Sequence, residues 1–318
     1  MKIVFMGTPA FAVPCLQMLV EEGYNVVAVL TQPDRPQGRK KTLTPSPVKE
    51  AALSLGLPVL QPERLRREEA VAELAAYEPE LIITAAYGQI LPKAVLDLPV
   101  RGCVNVHGSL LPKYRGGAPI QRSVINGDKV TGVTLMYMAE GLDTGDMISK
   151  VEVPIDEADT AGTLFEKLSL AGRDLLKSEM QRLVSGPVPA ISQDDSEATY
   201  APNLKREDER IDWNAGSRDI YNRIRGLVPF SGVFTLWNEE TFKVWAAANP
   251  SNAPGLTFES ANANVVPGTV LALNEQGILV KTGDGVLLLT SVQPAGKKAM
   301  SASDFARGGS MKPGTVLV

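Results

Sequence analysis

The chain contains a single histidine, His107, in the most unusual stretch of the sequence: Asn105-Val106-His107-Gly108-Ser109-Leu110-Leu111-Pro112-Lys113-Tyr114-Arg115-Gly116-Gly117-Ala118-Pro119-Ile120. Imidazole is the side chain whose unperturbed ionisation falls near neutral pH, so imidazole-based proton transfer in this chain has one candidate. Asn105 lies two residues earlier, and on an extended strand the two side chains share a face. An amide donor beside an imidazole suits a reaction in which a carbonyl oxygen becomes an oxyanion: one group donates to the developing charge while the other carries a proton. Downstream, Gly141-Leu142-Asp143-Thr144-Gly145-Asp146 places two carboxylates on a glycine-rich turn, and either can orient an imidazole. Spacing alone leaves Asp143 and Asp146 equivalent. Ser109 reads as a nucleophile or, from the Leu-Leu-Pro that follows it, as part of a pocket wall; the second reading fits better.

Other chemistries lack their signatures. Gly7-Thr8-Pro9 after the first apolar run is not the G-x-G-x-x-G dinucleotide fingerprint, and neither a P-loop nor the G-x-S-x-G hydrolase elbow is present. Two cysteines, Cys15 and Cys103, both among apolar residues, read as buried free thiols. With one histidine and no cysteine pair, the expectation is that no metal is required.

The elements that must position these residues follow from hydrophobic periodicity. Apolar runs at 3–6, 26–30, 58–60 and 81–86 alternate with helical patterns at 14–22, 48–55 and 66–77. Continuous apolar strands alternating with helices predict a Rossmann-like, doubly wound, mostly parallel sheet with helices on both faces. Ligands bind such sheets at the carboxyl ends of the strands. Gly7, Tyr87-Gly88 and His107 all fall at such ends, which predicts one site. Further strands are expected at 133–138 and 147–155 and a long amphipathic helix at 160–183. Residues 185–200, with Gly186-Pro187-Val188-Pro189 and a polar run, read as an interdomain linker. Beyond it come a helix at 217–227 and short strands at 233–237, 243–247, 268–273, 277–281 and 286–292, with Asp284-Gly285 as a hairpin signal. That pattern predicts a small C-terminal β-barrel of the oligonucleotide-binding kind. The expected organisation is a catalytic domain at 1–188, a linker at 189–206 and a barrel at 207–318.

A length of 318 residues suffices for two such cores. No apolar run reaches the ~20 residues that span a bilayer, and the N-terminus reads as a first strand rather than a signal peptide, so the expected location is the cytoplasm. Net charge is −4, which argues against a protein that coats nucleic acid non-specifically. The charge is uneven: residues 34–49 carry five basic side chains against Asp34 alone, and residues 204–318 carry twelve basic against eleven acidic. Arg39, Lys40 and Lys41, in a loop stiffened by prolines, are the candidate phosphate-backbone contacts. Trp213, Trp237 and Trp245 are expected in the core of the second domain rather than stacked on bases.

Taken together, Asn105 to Pro112, Tyr114-Arg115-Gly116, Ala118-Pro119-Ile120-Gln121 and Gly141 to Asp146 resemble the folate-dependent formyltransferases. Thr31-Gln32-Pro33-Asp34-Arg35-Pro36, Gly38-Arg39 and Pro45-Ser46-Pro47-Val48-Lys49 resemble the loop that meets the initiator tRNA acceptor end in members acting on charged tRNA. Leu289 and Gln293-Pro294-Ala295-Gly296-Lys297-Lys298-Ala299-Met300 match as well. The resemblance runs in order over nearly the whole chain. It implies a Rossmann-like catalytic domain and a tRNA-holding barrel, with 10-formyltetrahydrofolate as formyl donor and no metal. It further implies the α-amine of methionyl initiator tRNA as acceptor, and a monomer with no membrane partner. By matching positions, Asn105, His107 and Asp143 form the catalytic trio. Ser109, Leu110, Leu111 and Pro112 match the folate-binding stretch, and Tyr87, Gly88, Gln89 and Ile90 the neighbouring pocket wall. In the basic loop, Lys40-Lys41-Thr42 stands where many relatives space a glycine among the cations, while Arg39 stays in register. The same trio also suits acceptors other than tRNA: water, or a sugar or nucleotide amine. A non-catalytic RNA-binding module is disfavoured by the intact trio.

Overall fold

A computed structural model describes residues 1–37, 42–186, 188–252 and 265–318. Arg39, Lys40 and Lys41, with Gly38, lie outside the described residues. In chain order the elements up to residue 185 are β1 (Ile3–Gly7), α1 (Val13–Glu21), β2 (Val26–Leu30), β3 (Arg35–Gln37), β4 (Thr42–Thr44), α2 (Pro47–Ser54), β5 (Val59–Leu60), α3 (Glu68–Ala75), β6 (Leu81–Ala85), α4 (Lys93–Leu96), β7 (Cys103–His107), α5 (Pro119–Ile125), β8 (Val130–Tyr137), β9 (Met147–Pro154) and α6 (Ala161–Ser185). Then follow α7 (Ser217–Leu227), β10 (Val233–Trp237), β11 (Glu240–Ala247), β12 (Val270–Asn274), β13 (Gly277–Lys281), β14 (Val286–Gln293), β15 (Met300–Ser301) and α8 (Ala302–Arg307). The chain divides into two compact units. The first holds residues 1–119, 130–154 and 165–202; the second holds 120–129, 155–164 and 203–318.

The first unit is built on a seven-stranded sheet in the order β5-β2-β1-β6-β7-β8-β9. The first five strands pair in parallel; β8 runs against them and β9 pairs antiparallel to β8. This is the mostly parallel, Rossmann-like sheet expected from the apolar runs. Strands β1 and β6 are buried at every residue, as a sheet covered on both faces requires. Edge strand β9 instead alternates half-buried and exposed residues over most of its length. Helix α2 starts at a Ser46 cap, whose hydroxyl accepts the Lys49 N–H at 3.0 Å, followed by Pro47 in the first turn. Helix α6 lies close on the sheet through Gly172, where a Cβ would come within 2.8 Å of a Val106 methyl on β7. Parallel neighbours β1, β6 and β7 end together, so residues after Gly7, Ala85 and His107 share one rim of the sheet.

The second unit carries an antiparallel sheet in the order β10-β11-β14-β13-β12, with β15 on β14. The last residues close it. Val270 N–H donates to Thr315 and Leu317 N–H to Gly268 beside β12, while Leu236 of β10 exchanges two hydrogen bonds with Val318. Both edge strands are thereby paired, which makes the expected barrel and leaves no open edge there. The Asp284 turn joins β13 to β14, and its carboxylate also accepts the Ser217 N–H at 2.7 Å, where α7 begins. Trp213 is buried in this core, and Trp237 packs edge-on against Phe242 and Phe305. Trp245 departs from the expectation: it is half-buried, its indole N–H bonded to Gln293 and its ring faced by the Lys243 ammonium. Among the described residues no helix is long and apolar enough to cross a membrane.

Candidate active site

The site is assembled on β7 and its neighbours. Asn105 pairs across the sheet with Thr84 of β6, and the Thr84 hydroxyl donates to Asn105 Oδ1 at 2.7 Å. A hydroxyl bonded to the carbonyl end of the amide fixes which way the amide faces, leaving its NH2 for another acceptor. Thr84 is the one polar residue in β6, otherwise Leu-Ile-Ile-Ala, and that isolated hydroxyl was the sequence signal for this contact.

His107 is the last residue of β7 and is 6% exposed. Its Nε2 lies 3.0 Å from the Tyr114 carbonyl, which can only accept, so Nε2 carries a proton and donates it there. That bond determines the tautomer and leaves Nδ1 as the nitrogen able to take up a proton. Nδ1 faces Asp143, with Oδ2 at 3.7 Å. The same carboxylate oxygen accepts the Gly116 N–H at 2.8 Å. Of the two carboxylates that spacing left equivalent, the tertiary fold brings Asp143 to the imidazole, while Asp146 is exposed and its carbonyl takes the Tyr137 N–H. Asp143 has φ +50°, in the left-handed region, and Gly145 two residues on admits no Cβ, which would sit against the Tyr137 carbonyl.

The loop after His107 is held from the sheet. The Thr134 hydroxyl donates to the Ser109 carbonyl at 2.7 Å and accepts the Leu111 N–H at 3.1 Å. Lys150, opposite Thr134 on β9, donates its ammonium to the Leu111 carbonyl, and burial lowers the pKa of that amine. The Leu111–Pro112 peptide is cis. Ser109 is fully buried with its hydroxyl donated to the Lys113 carbonyl at 2.7 Å, which removes it as a nucleophile and makes it loop scaffold. Leu111 is buried too, whereas Leu110 and Pro112 are partly accessible.

At the neighbouring rim, Tyr87 is buried among core residues, its hydroxyl has no hydrogen-bond partner among the described residues, and burial pushes its ionisation up. Its carbonyl accepts the Thr8 hydroxyl at 2.8 Å, which ties the rims of β1 and β6 together. The Gln89 amide is spent on Leu65 and Pro62 backbone groups. Gly88 and Ile90 are exposed, Ile90 at 83%. Of the eight positions expected to line a folate pocket, Gly88, Ile90, Leu110 and Pro112 are accessible, Tyr87, Ser109 and Leu111 are buried, and Gln89 braces the loop. A bare aliphatic side chain beside accessible backbone suits the flat face of a heteroaromatic ring.

The basic loop's three cations lie outside the described residues, but its stem is described. Strands β3 and β4 pair antiparallel, Arg35 opposite Thr44 and Gln37 opposite Thr42. Asp34 is bonded by Lys49 at 2.7 Å and by Gln61 at 2.8 Å, and these bonds, Lys49's first, lower its pKa.

Residues 1–179 match the family model described as formyl transferase, and residues 203–310 match that of the formyl transferase C-terminal domain. The methionyl-tRNA formyltransferase of Bacillus velezensis is 54% identical over 317 residues, covering 99% of this chain and 97% of its own length. That of Bacillus subtilis is 53% identical with the same coverage. Among solved structures, WlaRD, a sugar 3N-formyl transferase, has TM-score 0.65 at 20% identity over 94% of this chain and 99% of its own. HypX from Aquifex aeolicus in complex with tetrahydrofolic acid has TM-score 0.62 at 16% identity, over 96% of this chain and 46% of the longer HypX. At these identities the two structures share the fold. The match of more than half the chain to the family model, and the near-complete alignment to two bacterial relatives, establish that this chain belongs to the formyl transferase family, on its methionyl-tRNA formyltransferase branch.

Proposed function

We propose that this chain transfers the formyl group of 10-formyltetrahydrofolate to the α-amino group of methionyl initiator tRNA, giving N-formylmethionyl-tRNA for translation initiation. The observation that carries the reading is the Asp143-faced His107 beside the Thr84-oriented Asn105, in a chain whose relatives at 53–54% identity are methionyl-tRNA formyltransferases. In the reaction the amine lone pair attacks the formyl carbon and the carbonyl electrons move to oxygen. Collapse of that tetrahedral oxyanion breaks the bond to N10. The attacking nitrogen loses one proton and N10 gains one, so the site needs an oxyanion donor and a group able to take and give a proton.

Asn105 supplies the donor. Its NH2, free of the Thr84 bond, meets the developing oxyanion, a contribution of about 2.7–4 kcal/mol for a preorganised donor. His107 carries the proton through Nδ1, because Nε2–H is committed to Tyr114. Asp143 faces the ring nitrogen that becomes charged and stabilises the imidazolium. Gly88, Ile90, Leu110 and Pro112 form the accessible wall for the folate, over buried Tyr87, Ser109 and Leu111 and the braced Gln89. Arg39, Lys40 and Lys41 meet tRNA phosphates near the acceptor end, supported by the local excess of positive charge at residues 34–49. The C-terminal barrel assists in holding the tRNA. The enzyme acts in the cytoplasm, where charged initiator tRNA is found. It acts as a monomer, a reading supported by the trio's placement within one compact unit of one chain.

The test is formyl transfer from 10-formyltetrahydrofolate to methionyl initiator tRNA, with uncharged tRNA and buffer as controls. Product on the charged tRNA alone supports the reading. Formate release without formylmethionine overturns it in favour of water as acceptor.

A further inference from the structure

The stretch that reads as a linker is stitched to the catalytic loops of the first unit. Ile191 exchanges two backbone hydrogen bonds with Met147, at 2.8 and 2.9 Å. Thr199 takes the N–H of Arg115 on its carbonyl and that of Tyr114 on its hydroxyl, and Ala201 N–H donates to the Arg115 carbonyl. Between these anchors sits Gln193, half-buried. Its Nε2 donates to the carbonyls of Asp143 at 2.7 Å and Gly145 at 2.8 Å, and its Oε1 accepts Arg115 Nε at 3.0 Å. Carbonyls only accept and a guanidinium only donates, so the amide has one orientation that satisfies all three partners.

Arg115 is itself buried, with its guanidinium also bonded to Asp195 at 2.7 Å. Its chain neighbours make the polar contacts on the His107–Asp143 pair. Tyr114 offers the carbonyl to Nε2, and Gly116 offers the N–H to the Asp143 carboxylate. One amide therefore joins the turn that carries Asp143 to the residue flanked by both contacts. We propose that Gln193 is a positioning residue for formyl transfer: it locks the left-handed Asp143 turn against the 114–116 loop and so sets the carboxylate against His107 Nδ1. The inference rests on the formyl-transfer reading for its kinetic arm only. Without the two donors, the Asp143 turn loses the bonds that oppose its relaxation from φ +50°, and the carboxylate draws back from the ring.

The test uses the full chain with Gln193→Met, which keeps length and removes every hydrogen bond, and Gln193→Glu, which keeps the acceptor for Arg115 and removes both donors. Lys177→Met, which breaks an exposed ion pair with Glu22, is the control. Because His107 is the only histidine, its ring nitrogens give the only imidazole signals in a long-range proton–nitrogen spectrum. Both Gln193 variants lose the two donor bonds to the Asp143 turn and are expected to lose about tenfold in kcat, with KM for formyl-folate and charged tRNA within about twofold. Both shift the His107 ring signals at fixed pH, and Lys177→Met shifts neither rate nor signals. Thermal unfolding followed in parallel separates a folding defect from a site defect. Unchanged ring signals, a loss confined to KM, or full activity in Gln193→Glu would each overturn the proposal. If the wild type formylates nothing, the function falls, while the ring signals still decide the role of Gln193.

Discussion

Thr84→Val removes one hydroxyl and keeps the β-branched shape at a position 2% exposed in the centre of the sheet. The lost group is the donor to Asn105 Oδ1 at 2.7 Å. No cavity forms, so the cost in stability is that of one buried hydrogen bond, and the Asn105 amide is freed to turn. A net hydrogen bond of about 0.5–1.5 kcal/mol corresponds to a roughly two- to tenfold fall in the population of the productive amide orientation, and kcat should fall by that factor. Asn105→Ala removes the donor itself, and about 2.7–4 kcal/mol of oxyanion stabilisation corresponds to a loss on the order of a hundred- to a thousandfold. The assay is single-turnover formyl transfer to charged initiator tRNA at saturating formyl-folate, with KM for both substrates measured separately. The ordering wild type, Thr84→Val, Asn105→Ala, with KM little changed, is the expected result. Asn105→Ala within about threefold of wild type would refute its role as oxyanion donor. Thr84→Val at wild-type rate beside a crippled Asn105→Ala would show that something other than the hydroxyl orients the amide.

His107→Ala and Asp143→Asn should each lower kcat by about a hundredfold or more while leaving substrate affinity largely intact; near-wild-type turnover in either removes that residue from the mechanism. Raising salt from about 50 to about 200 mM should increase KM for charged tRNA steeply and leave KM for formyl-folate nearly flat; a flat tRNA response would count against phosphate contacts by Arg39, Lys40 and Lys41. Burial pushes the Cys15 and Cys103 thiols up to about 12, so neither should react with a disulfide reagent at about pH 8 in the native protein and both should react on unfolding. Hydrogen bonds from Lys129 and then Arg218 lower the Glu157 carboxyl to about 2. A folded-state pKa below the unfolded value contributes stability above the unfolded pKa, and that contribution is lost as pH falls through the folded one. Glu157→Gln should therefore flatten the stability loss between about pH 4.3 and pH 2, read by denaturant titration at each pH.

Strands β1, β2 and β6 were legible because they are nearly continuous apolar runs, and burial on both faces demands that composition. The period of two put Asn105 and His107 on one face of β7 with no tertiary information. Local patterns were weaker at edges: the β3–β4 hairpin is three residues a side with Pro36 in one strand, and it carries no alternation to read. In the second unit the strands were readable one by one. The pairing of residues 315–318 with both barrel edges was not, since the terminal Thr-Val-Leu-Val run names no partner.

By itself, the sequence determined the sheet class and placed the lone histidine with an asparagine on the same strand face, because these depend on residue type and on spacing within a single element. The order of the polar contacts belongs to the tertiary structure. Spacing alone left Asp143 and Asp146 equal and the family resemblance pointed to Asp143; in the fold it is Asp143 that the Gly116 N–H and His107 Nδ1 meet. Ser109 beside His107 read as pocket wall rather than nucleophile, and what its hydroxyl does is set by the fold, where it is buried and donates to the Lys113 carbonyl. Gln193, in a polar stretch with no periodicity, joins Asp143 and Arg115 across gaps of 50 and 78 residues. Hydrogen bonds over such separations leave no trace in local spacing, because only the closed fold brings donor and acceptor within reach.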